Sequence, residues 1–149
     1  MSPKKHRTSP GGPAEGRRRL TIAEQYLILA TMLEDDPSDG AINACIGNCV
    51  LAGIAAGDAI CYSSLGERYA GPDHEQAAAV LDRVNKDLGS TLRSLNRLKT
   101  KSQYGDEWLT DSTRKAALRA ARTLVKEANT SLRQLGTLRG PFATPTDVK

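Results

Sequence analysis

Arg68 and His74 are separated by five residues, and they are the pair in this sequence best suited to act on a phosphodiester. A guanidinium offers paired donors to phosphate oxygens and stabilises the negative charge that grows in the transition state. Imidazole titrates near neutrality, so it can take a proton from a ribose 2′-hydroxyl or give one to the leaving 5′-oxygen. The pair is therefore compatible with metal-independent cleavage of RNA. The same spacing also fits an arginine that ends one helix and a histidine in the first turn of the next.

Asp58 is a third candidate residue because it is a carboxylate that follows a long uncharged stretch. An unpaired buried charge is costly, so we expect a partner from another helix or another subunit. Two interpretations stay open. Asp58 forms a structural ion pair, or it supports catalysis by orienting Arg68 or His74.

Other familiar sites are missing from the sequence. It contains no Walker loop, no dinucleotide-binding glycine pattern and no nucleophile elbow. With only two histidines, His6 and His74, a histidine-based metal cluster is not expected. Cys45, Cys49 and Cys61 lie in one apolar stretch without a second ligand pair, so we interpret them as small buried residues. We expect no metal and no cofactor.

Composition indicates which kind of fold holds these residues. The 149 residues correspond to one domain, 39% apolar and 26% charged, with 19 alanines and only 4% aromatic residues. This balance favours closely packed helices and excludes collagen, a disulfide scaffold and full disorder. The polar N-terminus and the unpaired set of three cysteines predict a reducing, cytoplasmic setting.

Apolar periodicity predicts four helices joined by short connections, which implies an all-α, antiparallel up-down bundle. The first helix is expected to begin at a capping box formed by Thr21 and Glu24. The predicted helices cover residues 21–34, 39–66, 73–101 and 111–135. They lie in a domain over 19–136, between a disordered basic tail, 1–18, and a flexible C-terminal tail, 137–149.

The second predicted helix is uncharged from Gly40 to Gly57, which raises the question of a membrane span. Its glycine and asparagine content and its amphipathic neighbours favour a central helix of the bundle instead. We therefore expect no membrane association, and we expect its small residues to let other helices approach closely.

Charge is unevenly distributed along the chain. The net charge of +4 combines +5 over residues 1–19, −9 over 20–82 and +8 over 83–149. Such polarity can join helices within a subunit, orient self-association or offer a basic face to a polyanion. For the last case, the predicted RNA-binding residues lie on the fourth helix and act together with the basic tail: Arg114, Lys115, Arg119 and Arg122.

Two stretches resemble the HEPN superfamily of small helical bundles. NCVLAGIAAGDAICYSSLGERYAGPDHEQAAAVLDRV is similar to the HEPN order of an alanine-rich helix, a glycine-containing turn and a histidine that opens the next helix. LKTKSQYGDEWLTDSTRKAALRAARTLVKEAN resembles the closing pattern, in which a tyrosine-containing loop leads to an alanine-rich last helix. With the first helix they span 20–136, and the chain looks most like a compact, stand-alone bacterial member.

This resemblance implies a bundle of four to five helices, often a homodimer. Many members are metal-independent ribonucleases of toxin–antitoxin and defence systems, with an Arg-x(4–6)-His motif from each subunit. The resemblance thus implies RNA as substrate, an antitoxin-like protein partner, and catalytic roles for Arg68 and His74. In this hypothesis Asp58 is the supporting residue. Other members have lost catalysis, so the alternative is an inactive bundle that binds a nucleotide or a protein partner.

Overall fold

Helices dominate the structure, a computed structural model that describes residues 7–138 and confirms the predicted all-α bundle. The described part contains five helices and one two-stranded antiparallel sheet. In chain order the elements are β1 (Thr8–Pro10), α1 (Pro13–Met32), α2 (Asp39–Leu65), β2 (Glu67–Tyr69), α3 (His74–Asp82), α4 (Lys86–Tyr104) and α5 (Asp111–Leu138).

Helix α2 is the centre of the bundle and packs against α1, α4 and α5. It begins where the Ser38 hydroxyl accepts the N–H of Ala41, and it ends at Gly66, whose φ of 73° is a left-handed conformation that favours glycine. By length and composition α2 could cross a membrane, but 67% of its most apolar window is buried by the other helices. This burial is typical of a core helix.

Small residues on α2 let α4 approach closely, as the sequence predicts. A Cβ added at Gly53 would lie 2.5 Å from Cδ1 of Leu95 on α4. The three cysteines are buried in the same core, in agreement with their interpretation as apolar residues.

The prediction of a disordered tail over 1–18 is wrong for its described part. Thr8–Pro10 pair with Glu67–Tyr69, and α1 begins at Pro13, eight residues before the predicted capping box at Thr21. The helix starts there because proline fits its first turn and the Gly12 N–H donates to the Glu15 carboxylate at 3.2 Å. Residues 1–6 lie outside the described residues.

The third predicted helix is in fact two helices, α3 and α4. Its apolar repeat continues through Leu81, Val84 and Leu88, so periodicity alone does not reveal the break. The side chain of Asn85 accepts the N–H groups of Asp87 and Leu88 at 2.8 and 3.1 Å, which starts a new helix.

The last helix begins at Asp111 as predicted and extends to Leu138, three residues beyond the predicted end. The predicted C-terminal tail, 137–149, therefore begins inside α5, and its remainder from 139 lies outside the described residues.

Candidate functional site

Arg68 lies on β2, and the N-terminal strand holds it in place. In the antiparallel sheet Arg68 faces Ser9, and backbone bonds at either side join Gly11 to Gly66 and Ala70 to Arg7. The Arg68 guanidinium donates from Nε to the Tyr62 hydroxyl at 2.9 Å and from Nη1 to the Tyr69 carbonyl at 3.0 Å. These two hydrogen bonds therefore fix the orientation of the Arg68 guanidinium.

Asp58 lies on α2 between two arginines, with its side chain 12% exposed. Its Oδ2 is 3.1 Å from Arg19 Nη2 on α1 and 3.9 Å from Arg68 Nη1. Burial raises the pKa of Asp58 to about 6, although both guanidinium groups act in the opposite direction. The expected partner from another helix is Arg19. Asp58 also reaches Arg68, so the structural and supporting interpretations both remain compatible with the geometry.

The raised pKa of Asp58 predicts a specific pH dependence of stability. Between the ordinary pKa of 3.8 and the folded pKa of about 6, the folded chain binds this proton more tightly than the unfolded chain. The contribution of Asp58 to the free energy of unfolding is therefore largest below pH 3.8 and falls as pH rises to 6, by about 3 kcal/mol for a shift of this size.

Asp58→Asn removes this titration. We expect the free energy of unfolding of the wild type, measured by urea denaturation, to decrease relative to that of Asp58→Asn between pH 4 and pH 7. Asp106→Asn, at an exposed position, is the control and keeps the wild-type profile. Parallel pH profiles for wild type and Asp58→Asn would contradict the assignment.

His74 opens α3 and contacts α4. Its Nε2 lies 2.6 Å from Lys99 Nζ, and its carbonyl accepts the Asn96 side-chain N–H at 3.0 Å. Burial and the adjacent Lys99 ammonium lower the pKa of His74, and Asp73 acts in the opposite direction. The imidazole is therefore neutral at pH 7, with Nε2 accepting from the ammonium, and it is able to take up a proton.

Removing the ammonium is expected to raise the pKa of His74. In a His6→Ala background His74 is the sole histidine, so its imidazole signals can be followed directly by NMR. Lys99→Met shifts the pKa of His74 upward but not fully to its ordinary value, because burial is the larger cause. Lys101→Met, at an exposed position on α4, leaves it unchanged. An unchanged pKa in Lys99→Met would contradict the contact.

The turn between Arg68 and His74 is held by the buried Tyr69. The Asp73 N–H donates to the Tyr69 hydroxyl at 3.0 Å, and a Cβ added at Gly71 would lie 2.2 Å from that oxygen. In the described part of the chain, the hydrogen bonds of the Arg68 guanidinium and the His74 imidazole go to different residues. One ordered turn therefore carries both groups, and separate contacts orient each of them.

The expectation that Arg114 belongs to an exposed RNA-binding face is wrong. Arg114 is 4% exposed, because it lies four residues before Leu118 on the core-facing side of α5. Its guanidinium donates to the carbonyls of Leu33 and Asp36 at 2.8 and 2.6 Å and to Asp111 at 2.7 Å. Arg114 therefore joins α5 to the end of α1 and satisfies carbonyls that a helix end leaves free.

The other three predicted RNA-binding residues are exposed along one side of α5. Lys115 lies 3.4 Å from Asp111, and Arg122 pairs with Glu34 at 3.0 Å. Arg119 lies between them at helical spacing. Exposed ion pairs of this kind are weak, so these cations stay accessible to a polyanion.

Two aromatic side chains are exposed where α4 ends. Tyr104 is 78% exposed and Trp108, in the connection to α5, is 63% exposed. Tyr104 is five residues beyond Lys99, about 7.5 Å along the helix axis. Exposed aromatic rings can stack on unpaired nucleic-acid bases.

Arg19 and Lys99 belong to the candidate site but are not among the residues predicted from sequence. Arg19 precedes Ala23 by four residues and Ala30 by eleven, so it lies on the core-facing stripe of α1, and that register is the signal that identifies it. Lys99 meets His74 only because α4 folds back along α3, which depends on the break before Asn85.

The chain matches no known family model, and no curated protein is significantly similar to it. In residues 7–138 no group of three or more His, Cys, Asp or Glu side chains is placed to hold a metal ion. The fold thus establishes the class, an all-α bundle, and the chemistry must be argued from the site itself.

Proposed function

We propose that the protein is a HEPN-type RNA-binding protein of the bacterial cytoplasm that cleaves RNA without a metal, with Arg68 and His74 as catalytic residues. The observation that carries the proposal is a neutral imidazole, His74, that contacts Lys99 of α4. A single turn joins His74 to Arg68, whose guanidinium is held by Tyr62. The turn carries a base and one cation, and α4 adds a second cation beside the base. Phosphodiester cleavage uses groups of these kinds.

In the proposed reaction, His74 takes the proton of a ribose 2′-hydroxyl. The 2′-oxygen then attacks phosphorus, and the bond to the 5′-oxygen breaks as this oxygen takes a proton from water. The products are a 2′,3′-cyclic phosphate and a 5′-hydroxyl. Arg68 stabilises the charge on the phosphoryl oxygens, and Lys99 moves from His74 to the phosphate because an anion attracts an ammonium more strongly than a neutral imidazole does.

Several other groups support RNA as the substrate. Asp58 and Tyr62 act as positioning residues because they contact the Arg68 guanidinium. The exposed cations of α5 offer salt-sensitive contacts to the RNA backbone, and Trp108 and Tyr104 offer rings for unpaired bases. The proposal includes a homodimer and an antitoxin-like protein partner, as the resemblance to HEPN proteins implies.

The test is incubation of the purified full chain with total RNA, with and without EDTA. We expect cleavage in both, with 2′,3′-cyclic phosphate ends. Products with 3′-hydroxyl ends, or cleavage that EDTA abolishes, would overturn the proposed reaction.

The second candidate function is a catalytically inactive module that binds a nucleotide or a protein partner. It is favoured by the Arg68 guanidinium, which already donates to Tyr62 and Tyr69. In this case charge reversal of Arg119 and Arg122 abolishes capture of the partner, whereas His74→Ala has no effect. Loss of RNA cleavage in His74→Ala would decide for the enzyme.

A further inference from the structure

Helix α1 has an apolar face that the rest of the described chain leaves uncovered. Its side chains Ile22, Ile28, Leu29 and Met32 are 38%, 52%, 48% and 74% exposed, and we call them the α1 face. The opposite side of the helix packs into the core through fully buried alanines. Large apolar side chains clustered in this way mark an interaction surface.

Residue spacing along this exposed side of α1 is the same in either direction. Ile22, Gln25, Leu29 and Met32 follow one another at steps of three, four and three residues, which puts them on one stripe. In an antiparallel pair of α1 helices centred on residue 27, Ile22 of one copy faces Met32 of the other, and Gln25 faces Leu29. Two-fold dimers require such self-complementarity.

The two ends of the stripe carry an open groove and a highly exposed side chain. An open groove of about 410 Å³ lies beside Ile22 and is lined by Arg17, Arg18, Thr21 and Ile22. Met32, the most exposed apolar residue of α1, lies ten residues further on, about 15 Å along the helix. An antiparallel pair therefore brings Met32 of each copy to the groove of the other.

Charge selects the same orientation. Arg17 and Arg18 are exposed before the stripe, and Asp35 and Asp36 are exposed after it. Antiparallel pairing brings the arginines of one copy beside the aspartates of the other, whereas parallel pairing brings like charges together.

We infer that the α1 face binds the α1 face of a second copy of this chain, antiparallel and around a two-fold axis at the height of residue 27 along the helix. This inference concerns the homodimer of the proposed function and does not depend on the cleavage chemistry. Failure of one is therefore distinguishable from failure of the other, because the first is measured as mass and the second as RNA cleavage.

The first experiment is sedimentation equilibrium of the full chain. We expect a species of twice the 16.0 kDa chain mass for the wild type. Met32→Glu places a charge in the apolar contact and is expected to raise the dimer dissociation constant by at least about tenfold. Ser90→Glu, which adds the same charge at an exposed site on α4, keeps the wild-type constant. A wild type that stays monomeric, or a Met32→Glu variant that dimerises as before, overturns the inference.

The second experiment fixes the orientation with a short thiol crosslinker, to which the buried native cysteines are inaccessible. Mixed Ile22→Cys and Met32→Cys chains are expected to crosslink to each other, and Ile22→Cys chains alone are not. Efficient crosslinking of Ile22→Cys to itself would show a parallel pair and overturn the proposed arrangement.

Discussion

Replacing His74 by alanine is expected to lower the rate of RNA cleavage by about 10² to 10⁴-fold, the usual contribution of a general base. The imidazole is neutral and half-buried, so it is the group at this turn that can take the 2′-hydroxyl proton. RNA affinity is expected to change little, because the cations that attract the backbone remain. The measurement is single-turnover cleavage of a labelled RNA, with affinity determined separately by filter binding.

His6→Ala is the matched control, since it removes the only other histidine of the chain. It is expected to cleave at the wild-type rate. Both variants are expected to keep the helical bundle, which far-UV circular dichroism measures. Equal cleavage by His74→Ala and His6→Ala would remove His74 from the reaction.

Replacing Arg114 by methionine is expected to lower the free energy of unfolding by about 2 to 3 kcal/mol, although exposed substitutions on the same helix cost little. The methionine keeps most of the apolar volume but leaves the Leu33 and Asp36 carbonyls without their donor. The connection between α1 and α2 also loses its tie to α5. Urea denaturation followed by circular dichroism measures the change.

Arg119→Met is the control for this prediction, because Arg119 is exposed five residues further along α5. Its effect is expected to stay below about 0.5 kcal/mol. If the two variants lost equal stability, the hydrogen bonds of Arg114 would contribute no more than an exposed arginine does. For RNA affinity the order is reversed: Arg119→Met is expected to weaken binding more than Arg114→Met, because Arg119 faces solvent and Arg114 does not.

Much of the bundle could be predicted from sequence because α2 is uncharged from Gly40 to Gly57. An uncharged helical stretch of this length is typical of either a core helix or a membrane span. Periodicity also placed α5 correctly at its start. The boundaries that failed depend on local hydrogen bonds. The Asn85 side chain caps a new helix although the apolar repeat continues across this position. The hydrogen bond from the Gly12 N–H to Glu15 caps α1 well before the pattern at Thr21.

For the candidate site as well, one part could be predicted from sequence and another could not. Arg68, His74 and Asp58 could be singled out by residue type, but which residues they contact depends on tertiary folding. The reach of Asp58 to Arg68, ten residues on, follows from β2 turning back beside α2. Arg114 precedes Leu118 by four residues, and this spacing puts it on the buried side of α5. The prediction assigned it to the exposed side because it is charged like its neighbours.

Through the two-stranded sheet, the N-terminal strand helps to position residues near the middle of the chain. Ser9 is paired with Arg68, so the guanidinium is oriented partly by residues that are synthesised some sixty positions earlier. A protease that cuts at Gly11, or a fusion that pulls on Thr8, acts directly on the strand that carries this arginine. Trimming the N-terminus is therefore a way to tune the candidate site without touching any of its side chains.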